Sequence, residues 1–265
     1  MNINGSLATK LINGLPGIRT FGRGSAVRTA LAQFEHEFIT FKRLSDSASD
    51  KRFALRWEDR YPCLKEKKGA LGFDRHYVYH TAWAARIVAQ SRLSEHVDIG
   101  SSLYFCGMLS AFIRVRFYEY HPVDLRLSNL SLGQADLLQL PFTDATIESI
   151  SCMHVVEHVG LGRYGDPLDP QGDQKAMREL ARVLAPGGTL LFVVPVGRPR
   201  ICFNAHRIYG FHQVREAFCG LDLREFALVP DDPAHGGLMK NASEAIVDSQ
   251  NYGCGCFWFV RPPIT

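Results

Sequence analysis

His154, Glu157 and His158 stand together as H-x-x-E-H. Imidazole is the side chain suited to moving a proton near neutral pH, and a carboxylate three residues on can orient it. The same pattern binds zinc in proteases when both histidines lie on one helix face. Here it follows a strand-forming run, Ile147 to Met153, and leads into a loop, so zinc proteolysis is not expected. That loop holds Gly160, Gly162, Gly165, Asp166, Asp169 and Asp173. Its aspartates could serve as hard oxygen ligands. Their spacing is not that of a calcium loop, however, and no terminal bidentate Glu follows. Loop and cap roles suit them better, with Asp173 placed to N-cap the next helix, and no metal is expected.

A second constellation lies upstream. The short apolar run from His96 ends in Asp98-Ile-Gly100-Ser101-Ser102, the way a nucleotide-type turn begins. Gly100 lets backbone approach a ligand. Ser102 takes the place of the second glycine of the usual G-x-G, and GSSLYF does not satisfy the dinucleotide fingerprint. Glu119, about twenty residues on at the end of a second strand, is placed to bind ribose hydroxyls. Tyr77 and His80 share a helix face with Thr81 and Ala84, where they either line a ligand site or pack with satisfied polar tips. Arg163, Tyr164, His206 and Tyr209, with Arg198, Arg200 and Arg207, would suit a polar, anionic or sugar-like small molecule.

These residues need a frame. Helical spacing is expected over Val27 to Leu44 and His76 to Ser91, the latter capped by Asp74. Strands are expected at His96 to Gly100, Val115 to Tyr120, about Gln134 to Phe142, Ile147 to Met153, Thr189 to Val194, Leu221 to Val229 and Tyr252 to Val260. Helices fall between them at Tyr104 to Ile113, Asp173 to Leu184 and Phe211 to Phe218. His121 to Leu132 has weak helical character. Pro186-Gly187-Gly188 is expected to end a helix. Strands alternating with helices give a doubly wound, mostly parallel α/β sheet, with ligands beyond the carboxyl ends of its strands. The last strand arrives after a long excursion, 231–250, and could insert antiparallel.

Composition sets bounds. The chain has 265 residues, 46% of them apolar, enough for a sizeable core. A formal charge of +3 gives no argument for nucleic acid. The seven cysteines form no disulfide framework, which points to a reducing, cytoplasmic setting. No apolar run reaches the roughly eighteen residues of a membrane span. Residues 1–25 read as a flexible basic segment, 26–92 as a helical extension acting as a lid or in dimer contacts, and 93–265 as the catalytic-type domain. A small-molecule substrate is expected, and an oligomer is left open.

VDIGSS, FYEY, ADLLQLPF, SISCMHVVEHV and ELARVLAPGGTLLFVVP, in this order, resemble the class I S-adenosylmethionine-dependent methyltransferases over about residues 95–260. FDRHYVYHTAWAAR, HVVEHVGLGRYGDPLDP, FNAHRIY and YGCGCFWF are similar to the uncharacterised family catalogued as domain of unknown function 268. The resemblance implies a seven-stranded sheet with the last strand antiparallel, and S-adenosylmethionine as cofactor. It implies that Asp98, Gly100 and Ser101 (with Ser102, which departs from the family's glycine) form the turn beneath the methionine part. By the same likeness Glu119 binds the ribose, Asp136 and Leu137 meet the adenine, and His154 lies near the sulfonium. Methyl transfer to a hydroxyl needs a base. His154 and His158 are the catalytic candidates with Glu157 orienting, and a sugar or glycan-related hydroxyl is an acceptor of the right kind. A catalytically inactive binding or scaffold protein is the alternative. An NAD-dependent oxidoreductase is a more distant one.

Overall fold

The computed structural model describes residues 25–47, 53–64, 72–121 and 123–263. The basic segment 1–24, expected to be flexible, lies outside them. The chain divides into two compact units between Gly72 and Phe73. In the first, helix α1 spans Ser25–Ser47, and Phe38 meets Trp57 edge to face at 4.8 Å.

The second unit runs α2 (Arg75–Gln90), β1 (Glu95–Ile99), α3 (Leu103–Leu109), β2 (Arg114–Glu119), β3 (Leu130–Gln134), β4 (Ile147–Met153), α4 (Gly172–Val183) and β5 (Leu184–Val196). A hairpin of β6 (Arg200–Cys202) and β7 (His206–Ile208) follows. Then come α5 (Phe211–Ala217), β8 (Asp222–Val229), β9 (Met239–Lys240), α6 (Glu244–Asp248) and β10 (Gly253–Val260). The main sheet has the order β3-β2-β1-β4-β5-β10-β8-β9. Strands β1 to β5 are parallel, and β10 lies antiparallel between β5 and β8. This is the expected doubly wound sheet with its last strand reversed, extended at one edge by the two-residue β9. The order turns back on itself between β1 and β4, which opens a crevice at the carboxyl ends of those two strands.

Alternation sorts the core. Along β5, Leu190, Phe192, Val194 and Val196 enter one apolar cluster with Met177 and Leu180 of α4. Leu191 and Val193 enter the opposite one with Trp83, Ala84, Ile87 and Val88 of α2. Both faces are buried, so β5 reads as a continuous apolar run. On β10, Phe257 and Phe259 face the first cluster, whereas Cys254 and Cys256 face the second, beneath α2. The buried stripe of α2 explains why the unit boundary precedes this helix, whereas the sequence grouped it with 26–92.

Three local expectations change. The third strand is Leu130–Gln134, and Asp136 to Gln139 is a turn in which Asp136 Oδ1 accepts from the Leu138 amide at 2.8 Å. As an edge strand β3 is only half buried, and LSLGQ carries a weak apolar signal. Pro186-Gly187-Gly188 is no helix stop. Leu184 is already extended, and the three residues make a bulge at the start of β5, where a Cβ on Gly188 would meet Ala185 O at 2.7 Å. The β6–β7 hairpin carries Arg200, His206 and Arg207, residues that had no element assigned to them.

Asp173 does not N-cap α4, whose N-cap is Gln171. It lies inside the first turn, buried, where Tyr209 Oη donates to its Oδ2 at 3.0 Å and Arg207 Nε stands 3.6 Å from its Oδ1. Arg207 also donates to Val159 O at 2.6 Å. One buried guanidinium thus ties the 160–173 loop to β7. Removing one partner of such a pair leaves an uncompensated buried charge, which costs about 3–5 kcal/mol. Arg207→Met should lower the stability measured by urea unfolding by that amount. A loss under about 1 kcal/mol would show that the pair does not hold the loop.

Candidate functional site

Two cavities meet at the crevice. One, about 350 Å³, is walled by Ile99, Gly100, Glu119, Asp136, Leu137 and Val155. The other, about 450 Å³, is walled by Asp74, His76, Tyr77, Glu157, Arg163, His206 and Tyr252. Gly100, His154, His158 and Tyr164 belong to both walls.

The junction is built from two unusual backbone positions. Gly100 has φ +67°, and a Cβ there would press on both methyls of Val155 at 3.2 Å, so glycine is favoured on both counts. His154 has φ 59°, the left-handed region, which a non-glycine residue holds only when its surroundings compel it. Its amide still donates to Val193 O at 2.8 Å, the last rung of the sheet. Its Nδ1 donates to Glu157 Oε1 at 2.9 Å. The 3-10 turn Val156–His158 supplies Glu157, which is almost wholly buried. With the proton on Nδ1, the lone pair of His154 lies on Nε2, which has no hydrogen-bond partner among the described residues. His158 is set differently: its Nδ1 donates to Ala205 O at 2.6 Å, and its Nε2 lies 3.8 Å from Glu157 Oε1.

The predicted site residues separate into walls and supports. Gly100, Glu119, Asp136 and Leu137 line the smaller cavity together. Asp98 lies beneath the turn, fully buried, accepting from the Ser101 amide at 3.0 Å and from the Ser151 hydroxyl. Burial pushes its carboxyl up to about 6, against the hydrogen bonds it accepts. Ser101 Oγ accepts from the Met153 amide at 3.0 Å and so stitches the turn to β4. Ser102 lines neither cavity; at φ −73° it precedes α3 in ordinary extended backbone, so no glycine is needed there. Tyr77, Arg163, Tyr164 and His206 line the larger cavity. His80 is fully buried behind it, its Nδ1 bonded to His76 O at 2.6 Å. Tyr209 belongs to the Asp173 network instead. Asp166 organises the loop by accepting from the amides of Gly160 at 2.7 Å and Tyr164 at 3.2 Å. Burial works against its charge, but the amides outweigh that and hold the carboxyl below its usual range.

Sequence reasoning missed Asp74, His76, Tyr252 and Cys254. Asp74 does cap α2, accepting from the Tyr77 amide at 3.1 Å, and it also faces the cavity. His76 stacks on His154 at 5.6 Å and on Tyr252 at 5.2 Å. The available signal was His76 and His80 one turn apart on an otherwise apolar helix. Nothing local showed that the reversed last strand would bring Tyr252 and Cys254 beneath it.

Burial shifts several of the rings around the site. Burial, with repulsion from His154 second, pushes His76 down to about 4, although Asp74 and Asp231 oppose it. Burial likewise puts His80 at about 3. Burial lowers His158 while Glu157 resists. Burial and then Glu157 push the Tyr252 phenol up to about 12, so it stays a hydrogen-bond donor.

Residues 139–228 match the family model described as Caenorhabditis protein of unknown function, DUF268. No curated protein matches the chain. Among solved structures, N-methyltransferase NodS from Bradyrhizobium japonicum in complex with S-adenosyl-L-homocysteine is 19% identical, the match covering 69% of this chain and 85% of that one at a TM-score of 0.48. YcgJ protein from Bacillus subtilis is 14% identical over 71% of this chain and 100% of that one, TM-score 0.48. The cyclase SpnF is 15% identical over 69% and 80%, TM-score 0.48. The fold assignment stands on the strand order above. No helix among the described residues is long and apolar enough to cross a membrane.

The depressed histidines set a pH dependence. His76, His80 and His96, which burial holds at about 3 between Ser149 and Ser151, are neutral in the folded chain. Unfolded, they take up protons near 6.5, so their contribution to stability is complete above 6.5 and is lost as pH falls toward 4 and 3. Asp98, raised to about 6, acts in the opposite sense between 6 and 3.8, as one group against three. Each pH unit is worth about 1.4 kcal/mol per group. Circular dichroism melts should show the midpoint falling steadily from pH 7 to pH 5. A flat or rising midpoint would contradict this assignment.

Proposed function

We propose that the protein transfers a methyl group from S-adenosylmethionine to a small hydroxylated acceptor, such as a sugar. The observation that supports this reading is that a wall of Gly100, Glu119, Asp136 and Leu137 and a polar, aromatic cavity open onto each other at His154 and His158. The residues fit the cofactor. Gly100 leaves the close backbone approach that a Cβ would fill against Val155. Glu119 offers a carboxylate for two ribose hydroxyls, and Asp136 with Leu137 bounds a slot for a purine. When bound, the cofactor supplies an electrophilic methyl on a sulfonium.

The chain's own work is positioning and one proton transfer. Holding two reactants in contact removes several kcal/mol of barrier. Tyr77, Tyr164 and Tyr252 give stacking faces for a hydroxylated ring, and Asp74 and Arg163 give polar ends. The acceptor proton goes to Nε2 of His158, because the Ala205 carbonyl fixes the other proton on Nδ1 and Glu157 lies close enough to favour the imidazolium. The Nε2 atom of His154 is closed off from solvent and is less suited to that transfer.

Isothermal calorimetry with S-adenosylhomocysteine should give one site per chain. Glu119→Ala should weaken it roughly 10- to 100-fold, the worth of charge-assisted hydrogen bonds, with the melting temperature unchanged. Absence of heat at millimolar ligand would sink the methyltransfer reading and favour a binding protein on this fold.

A further inference from the structure

At the edge of the larger cavity, which His76 and His154 line, lies a second arrangement that methyl transfer does not use. His76 comes from the first turn of α2, His154 from the left-handed position after β4, and Cys254 from β10. One ring nitrogen of each histidine and the Cys254 Sγ all lie within 4.8 Å of one another. The sheet brings them together: Cys254 is on the face of β10 that α2 covers, and His154 leaves β4 two strands away on the same side.

We propose that His76, His154 and Cys254 bind a divalent transition metal of the zinc type. Two imidazoles and a thiolate are a borderline-soft donor set that zinc takes up and magnesium or calcium does not. His154 carries the mark of a ligating histidine: its Nδ1 is held by a buried carboxylate at 2.9 Å, leaving a buried Nε2 with no hydrogen-bond partner. Such a carboxylate–histidine pair fixes the tautomer and raises ligand basicity. A buried, unpartnered nitrogen otherwise costs about 1–3 kcal/mol, and a metal removes that cost. The donors, all within 4.8 Å of one another, must close to the about 3.3–3.6 Å that tetrahedral bonds require. Binding displaces the Cys254 proton. Three protein ligands leave a fourth position for a water or an acceptor oxygen. The H-x-x-E-H pattern is not the motif at work, because His158 is turned to Ala205 and only His154 is shared. The inference does not rest on the cofactor reading.

Cobalt(II) titrated into chelator-treated, full-length protein tests it. The expected result is one equivalent bound, with a thiolate-to-cobalt charge-transfer band in the near ultraviolet and intense tetrahedral d–d bands that zinc abolishes. Cys254→Ser should lose the charge-transfer band, and His76→Gln should weaken binding at least tenfold, whereas Cys219→Ser, at an exposed thiol elsewhere, should match the parent. His76 is on the first, half-exposed turn of its helix, so its variant remains informative if Cys254→Ser does not fold. No cobalt retained by the folded parent, or a band and affinity unchanged in both ligand variants, would overturn the site. S-adenosylhomocysteine calorimetry on the same samples separates that failure from a failure of the methyltransfer reading.

Discussion

The site depends on one hydrogen bond, from His154 Nδ1 to Glu157 Oε1 at 2.9 Å. It sets the proton on one side of the ring and the lone pair on the other. It also compensates a backbone held at φ 59°, a conformation a histidine leaves unless something retains it. The strand behind it cannot shift, since β4 is buried between β1 and β5. The carboxylate is in turn carried by a single 3-10 turn, whose position is fixed by the loop that Arg207, Asp173 and Tyr209 clamp. A contact across three residues is therefore supported from about fifty residues further along the chain.

Around that bond the fold separates two chemistries. The carboxyl ends of β1 and β2 give a wall with a glycine turn and a carboxylate, suited to a nucleoside. The far side of the same junction is ringed by α2, the β6–β7 hairpin and β10, and is rich in imidazole and phenol. Burial holds His76 low and the Tyr252 phenol high, so these two rings offer a lone pair and a hydroxyl donor. The two histidines of the motif are held differently, His158 Nδ1 by the Ala205 carbonyl and His154 Nδ1 by Glu157, so the proposed proton acceptor and the proposed ligand are separate rings.

Much of this frame was legible in the sequence. The buried strand Ile147–Met153 and the Thr189 to Val194 part of β5 announce themselves as apolar runs, and Gly100 and Glu119 sit at the spacing of a nucleotide turn. The half-buried edge strand at Leu130–Gln134 was not legible, because only one of its faces meets the core. Nor was the bulge at Gly187–Gly188, where the same Pro-Gly-Gly letters serve either a helix end or a strand start. The larger cavity was legible only in part. His154, His158 and Tyr164 are local to one motif, whereas His76 and Tyr252 join it through the reversed insertion of β10 beneath α2, a pairing across about 180 residues that no local pattern encodes.

Methyl transfer as proposed requires the cofactor in the smaller of the two cavities that meet at Gly100 and His154. A crystal structure of the protein soaked with S-adenosylhomocysteine tests it most directly. The expected result is density for the ribose on Glu119, for the adenine against Asp136 and Leu137, and for the sulfur at the junction facing His154. Density in another part of the molecule, or a clear cavity with no density at saturating ligand, would contradict it.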